Sequence, residues 1–211
     1  MQDANRKVLS IGASWRSMTA PRALWWAVSL VFLISGCGYN EVIERDEDVK
    51  AAWAEVQNQY QRRADLVPNL VKTVKGAADF EQETLQKVVE ARAKVGQMQV
   101  DASTIEDPSK LAQFEQAQSQ LGSALSRLLV VAERYPELKA TQAFQDLQVQ
   151  LEGTENRIAV ARKRFIEQVA EYNKVVLRFP TSIGASMRGK EERPTFTATT
   201  EGADKAPEVN F

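Results

Sequence analysis

The chain has 211 residues, with 27 Lys and Arg against 28 Asp and Glu, a single Cys and no His. That length holds one domain with appendages or two small ones. The missing His removes the usual general base at neutral pH, the Ser-His-Asp triad and the commonest transition-metal ligand, and one Cys makes neither an internal disulfide nor a Cys-rich zinc site.

Up to Cys37, Arg6, Lys7, Arg16 and Arg22 oppose only Asp3, for a charge of +3, and the remainder carries −4. A basic head, then an apolar run, then a mildly acidic body is the layout of an exported or membrane-anchored protein. The acidic body does not suit nucleic acid, whose phosphates call for a basic surface. From Ala23 to Cys37 there are 15 positions without a charge. That is short of the roughly 20 residues of a transmembrane helix and at the top of the about 7–15 of a signal-peptide apolar region. Ile34-Ser35-Gly36-Cys37 resembles the lipobox of bacterial lipoproteins. That resemblance implies acylation and cleavage at Cys37, with two or more acyl chains giving stable anchoring. The other reading is an uncleaved anchor that extends to Tyr39. Both put everything after residue 40 on the extracytoplasmic side.

The body reads as helix. Val49, Trp53, Val56, Tyr60, Val67, Leu70 and Val74 recur at three- and four-residue steps, with Arg63 in the gap, and predict a helix over about 42–75. Pro68 inside it predicts a kink, and Gly76 a stop. A second helix is predicted over about 81–98, with Leu85, Val88 and Val95 on one face and Arg92 at a seam position. Residues 99–110 read as a polar loop that ends in Asp107-Pro108, an N-cap followed by proline at the first helical position. The third helix carries Leu111, Phe114, Leu121, Leu125, Leu128, Ala132 and Tyr135, with Gln118 as its polar exception, and Pro136 is expected to end it. In the fourth, Phe144, Leu151, Ile158, Phe165, Tyr172 and Phe179 follow one another at intervals of seven. Leu147, Ala161 and Val175 fall on the companion positions, where Thr154 and Gln168 are weaker members. Five heptads make about 35 residues, or ~50 Å of helix.

The expected fold is all-α: an elongated antiparallel bundle of about four long helices. The alternative is a coiled coil that completes its core as a homo-oligomer. The expected organisation is a signal or anchor segment at 1–37, a helical bundle at 38–180 and an extended tail at 181–211, disordered in part after Glu201.

Five segments carry a family resemblance: QYQRRADLVPNLVKTVKG at 59–76, FEQETLQKVVEARAKV at 80–95, LSRLLVVAERYPELKA at 125–140, FQDLQVQLEGTENRIAVARKRF at 144–165 and EYNKVVLRFP at 171–180. In this order they resemble the LemA family of bacterial envelope proteins, from about Tyr39 to the end of the chain. Where that family usually has an earlier Tyr-Asn pair this chain has Phe165-Ile166, and only Tyr172-Asn173 remains. Its C-terminal aromatic motif stands here as Pro194-Thr195-Phe196, and the 99–110 loop looks specific to this chain. The resemblance implies a membrane-anchored helical bundle in the envelope, without an established biochemical activity, that accompanies a membrane metalloprotease or a TPM-domain protein.

The chemistry-bearing residues form one candidate polar network or partner site: Arg62, Arg63, Asp65 and Asn69 on the first helix, Glu90 and Arg92 on the second, and Glu155, Asn156, Arg157, Arg162, Tyr172 and Asn173 on the fourth. A buried Arg needs carboxylates or carbonyls, and Glu90 and Glu155 are the expected partners of Arg63 or Arg92. Such a layer either fixes helix register or binds a partner or ligand, and the structural role is favoured. The paired carboxylates and any Ser–Lys pair lack an enclosed setting in the sequence, so no catalytic residue, metal site or cofactor is expected. The expected function is a non-enzymatic, membrane-anchored envelope scaffold or adaptor for another envelope protein. The alternative is a small-ligand or lipid-binding carrier or sensor.

Overall fold

The structure is a computed structural model that describes residues 22–76 and 80–196, with side chains from residue 40 onward. Lipidation at Cys37 and the tail beyond residue 196 lie outside the described side chains. The chain divides into two compact units, Met1–Cys37 and Gly38–Phe211. The first unit contributes helical backbone from Arg22, the first residue of helix α1 (Arg22–Lys75). Among the described residues no helix is long and apolar enough to cross a membrane.

The second unit is all-α among its described residues. After α1 come α2 (Gln82–Gln97), a 3₁₀ turn (Ala102–Ile105), α3 (Pro108–Ala132), the short α4 (Pro136–Lys139), α5 (Gln142–Leu177) and α6 (Thr181–Met187). The part of α1 from Val42, with α2, α3 and α5, makes an antiparallel bundle. At one end Phe80 and Leu138 pack with Val74, and at the other Val176 and Ala185 pack with Val42.

Local chemistry sets the boundaries. At the end of α1 the Gly76 amide turns back to Thr73 O at 3.2 Å. Asp107 caps α3, where its Oδ1 accepts from the Ser109 amide at 2.8 Å and Pro108 fills the first position. The Thr141 hydroxyl accepts from the Phe144 amide at the start of α5. α1 runs unbroken through Pro68, so the expected kink does not interrupt it. Proline cannot donate to the carbonyl four residues back. Here that carbonyl, Ala64 O, accepts from Arg92 Nε on α2 at 3.1 Å.

Three expectations for residues 99–179 need correction. α3 stops at Ala132 and Pro136 opens α4 instead of ending α3, because proline's fixed φ suits a first helical turn. The polar 99–110 loop is a docked segment: Asp101 and Thr104 form a reciprocal capping box, and Ile105 is fully buried. The strict heptad of α5 drifts. Its buried residues run Phe144, Leu147, Leu151, Thr154, Ile158, Ala161, Phe165, Val169, Tyr172, Val176, so Val169 and Val176 replace Gln168 and Val175. A 3.6-residue turn lags a seven-residue repeat by about 20° per heptad. By Phe179 the helix has ended, and that ring is 76% exposed.

The region after residue 180 is not a plain extended tail. Thr181–Met187 form α6, whose Ala185 is fully buried. Gly189, at φ 64°, then reverses the chain in a conformation that suits glycine. Residues 190–196 return antiparallel to α5: Tyr172 Oη donates to Glu191 O at 3.2 Å, Asn173 Nδ2 to Arg193 O at 3.0 Å, and Phe196 reaches Phe165 at 5.2 Å between ring centroids.

Candidate functional site

The buried apolar residues form two clusters. One holds Val67, Leu70, Val74, Leu85, Val88, Leu121, Leu125, Leu128, Phe144 and Leu151, and the other Val42, Trp53, Val56, Tyr60, Leu111, Phe114, Ile158, Phe165 and Tyr172. Between them lies a polar layer. Arg63, 3% exposed, crosses it from α1. Its Nη2 donates to Gln118 Oε1 at 2.6 Å and to Gln118 O at 2.9 Å on α3, and its Nη1 to Glu155 Oε1 at 2.9 Å on α5. The guanidinium stands 5.0 Å from the Tyr60 ring centroid. Arg162, about two turns further along α5 than Glu155, donates to buried Glu115 on α3 at 3.0 Å. Burial holds the Tyr60 hydroxyl above its ordinary pKa against the opposing charges of Arg162 and Arg63. The layer thus ties three helices at one level, the geometry of a register-fixing network.

A second polar centre lies at the Val42 end. Arg193, 4% exposed, donates through Nη2 to Asp46 Oδ1 at 2.6 Å and to Glu106 Oε1 at 3.3 Å. Lys190 and Lys50 reach Asp46 Oδ2 at 3.0 and 3.1 Å. Burial alone raises the Asp46 carboxyl, but hydrogen bonds from Lys190 and Lys50 with the Arg193 charge outweigh it and hold the group below the ordinary carboxylate range. Asn173 brackets the Arg193 backbone, donating to its carbonyl and accepting from its amide at 2.9 Å. Arg193 lies 5.0 Å from the Tyr172 ring, whose hydroxyl burial keeps protonated to higher pH. Phe196 closes the clasp against Trp53, Phe165 and the Arg162 guanidinium, which lies 4.4 Å from its ring centroid.

The predicted network therefore separates into parts. Arg63, Glu155 and Arg162 are in the layer, Tyr172 and Asn173 in the clasp, and Arg92 on the carbonyl orphaned by Pro68. Glu90 is not a partner of either Arg: it is exposed and accepts from Gln86 at 2.8 Å one turn away. Arg62, Asp65, Asn69, Asn156 and Arg157 are exposed, and Asp65 accepts from Gln61 at 2.7 Å. Sequence reasoning missed Asp46, Glu106, Glu115 and Arg193. The signal for Glu115 was its place one turn before Gln118. Arg193 sits in a segment without periodicity, where only folding back gives it a partner.

On the outside, the layer floors a groove of about 960 Å³ between α3 and α5. Ser119, Gly122, Ser123 and Ser126 form one wall, and Glu152, Asn156 and Ile158 belong to the other. A second concavity of about 1200 Å³ lies at the far end, where Asn69 and Lys72 face Tyr135 and Leu138. Among the described residues no group of three or more acidic or Cys side chains stands ready to hold a metal.

The sequence model of the LemA family matches residues 52–211, which takes in the polar layer and, of the clasp, Tyr172, Asn173, Arg193 and Phe196 but not Asp46. The chain belongs to the LemA family. It is similar to magnetosome protein MamQ of Magnetospirillum gryphiswaldense, 25% identical, over 80% of this chain and 70% of that protein. It is 24% identical to protein LemA of Metamycoplasma hominis, over 68% of this chain and 61% of that one. With magnetosome protein MamQ 2 of Paramagnetospirillum magneticum it shares 24% identity, over 75% of this chain and 64% of the relative. It thus spans less than two thirds of two of these relatives. The match runs to residue 211, so in this LemA-family chain the segment after residue 180 is part of the family's body.

Proposed function

We propose that this LemA-family chain is a non-enzymatic, membrane-anchored scaffold of the bacterial envelope, with its bundle on the extracytoplasmic side as an adaptor for another envelope protein. The observation that carries the reading is the use made of the polar side chains. Both Nη atoms of Arg63 bond to Gln118 and Glu155, and Arg162 bonds to Glu115, as in a network that fixes structure, although the buried Arg63 Nε stays without a partner. What faces outward above them is a groove with small hydroxyl side chains on one wall and carboxylates on the other, suited to a polypeptide. The basic N-terminal segment, its uncharged run and the lipobox-like Cys37 support anchoring. The carrier alternative calls for an apolar cavity enclosed along the bundle, whereas the interior between the helices holds two packed clusters and the groove opens to the outside between α3 and α5.

The test is in-cell crosslinking of the tagged full chain, detergent extraction and mass spectrometry. One dominant envelope protein is expected, a membrane metalloprotease or a TPM-domain protein among the candidates, and it is lost when Ser123→Arg fills the groove. Recovery of the tagged chain alone, or only with copies of itself, overturns the adaptor reading in favour of a self-assembling element.

A further inference from the structure

Most large apolar side chains exposed on the body stand singly, such as Val89, Val130, Val149 and Val160, which is ordinary for a protein surface. Those at the junction of α5 and α6 do not. Leu177, Phe179, Ile183 and Met187 fall within one turn of chain and are 63, 76, 56 and 84% exposed. Ile183 and Met187 are four residues apart on α6 and share a face, with the buried Ala185 directed away from it. Arg178 and Arg188 flank them, Lys190 is bonded to Asp46, and the exposed Glu191 and Glu192 follow it.

The fold fixes where this turn lies. Val176 and Ala185 pack in the same cluster as Val42, and Lys190 bonds to Asp46. The turn is therefore at the end of the bundle where the chain enters it from Gly38. Cys37, the lipobox-like residue, precedes Gly38 directly in sequence. A cluster of Phe, Ile and Met with Arg on its flanks, at that end of the bundle, has the composition of an interfacial foot: the apolar side chains enter the headgroup–acyl boundary and the Arg178 guanidinium meets anionic headgroups.

We propose that the α5–α6 turn is a second membrane contact, in which Phe179, Ile183 and Met187 insert into the surface of the bilayer that holds the N-terminus and Arg178 binds its anionic headgroups. This rests on the membrane-anchored reading above. It gives α6 a purpose that its packing alone does not.

The experiment uses the full chain in bacterial membranes, with a photo-crosslinking amino acid placed singly at Ile183, Met187, Val130 or Val149. Fractionation comes first and tests anchoring by itself. Lipid adducts are expected at 183 and 187 and are lost at 130 and 149, which lie at the opposite end of the bundle. Ile183→Glu with Met187→Glu, both at exposed positions, is expected to keep the helical circular dichroism of the wild type and to abolish lipid adducts from a probe at Phe179. Membrane-held protein without lipid adducts at 183 and 187, or with protein adducts there instead, overturns the lipid foot and leaves the anchored reading standing. Protein absent from the membrane fraction overturns both.

Discussion

Replacing Arg63 by Met tests whether the polar layer holds the bundle together. The substitution keeps the apolar stem and removes the guanidinium. Gln118 is 4% exposed, and its Oε1 loses a 2.6 Å hydrogen bond at a buried position. An orphaned buried acceptor costs about 1–3 kcal/mol. Loss of the cation stacked on Tyr60 adds about 1 kcal/mol. The Glu155 side chain, 51% exposed, turns to solvent and adds little. The expected loss for Arg63→Met is therefore about 2–4 kcal/mol, read by urea denaturation of the full chain in detergent and followed by far-ultraviolet circular dichroism. The double variant Arg63→Met with Gln118→Leu removes the orphaned acceptor together with its donor, and replacing a buried polar set by apolar groups of similar size is commonly neutral. It is expected to recover about half of the loss. A single variant within about 0.5 kcal/mol of the wild type, or a double variant less stable than the single, refutes the reasoning.

The Pro68–Arg92 relationship predicts coupling: Arg92→Met costs about 1 kcal/mol in the wild type and less in a Pro68→Ala background, where the Ala64 carbonyl regains an intrahelical donor, as a double-mutant denaturation cycle measures. The clasp predicts acid sensitivity with a definite sign. Asp46 has its pKa lowered by folding, so its contribution is present above the unfolded value of about 3.9 and is lost as pH falls through the folded value. Asp46→Asn is expected to be less stable than the wild type at neutral pH and to show a shallower loss below about pH 4, both read from denaturation midpoints across pH.

Which parts of this were legible beforehand follows from which interactions are local. Asp107-Pro108 announces the start of α3 because the cap acts within three residues. The apolar stripes of α1, α2 and α3 point inward as their spacing requires, since a helical face is a property of one segment. Arg63 and Gln118, polar residues on apolar seams, announced a buried layer, and Glu155 was a foreseeable partner. Glu90 was not excluded by sequence, because whether it faces Arg63 or solvent depends on the rotation of α2 against α1. The same holds for Val169 and Val176: the drift from a seven-residue repeat shows only where a straight helix meets its neighbours.

Sequence alone determined the four long helices, the inward faces of the first three, the stop at Gly76 and the basic head before an uncharged run, each written in short-range periodicity, capping or composition. The family was legible in the five ordered motifs. Tertiary structure decided the rest. The 16-residue α2 is too short to cover the Val42 end of the bundle, and residues 98–107 and 190–196 pack there instead. Val100 and Ile105 from one of these segments, and Arg193 and Phe196 from the other, complete that end of the core. No periodicity marks them, because an extended segment that docks through single residues leaves no repeat. Arg193 and Asp46 are 147 positions apart, and only the return of the chain past Gly189 gives either of them its partner.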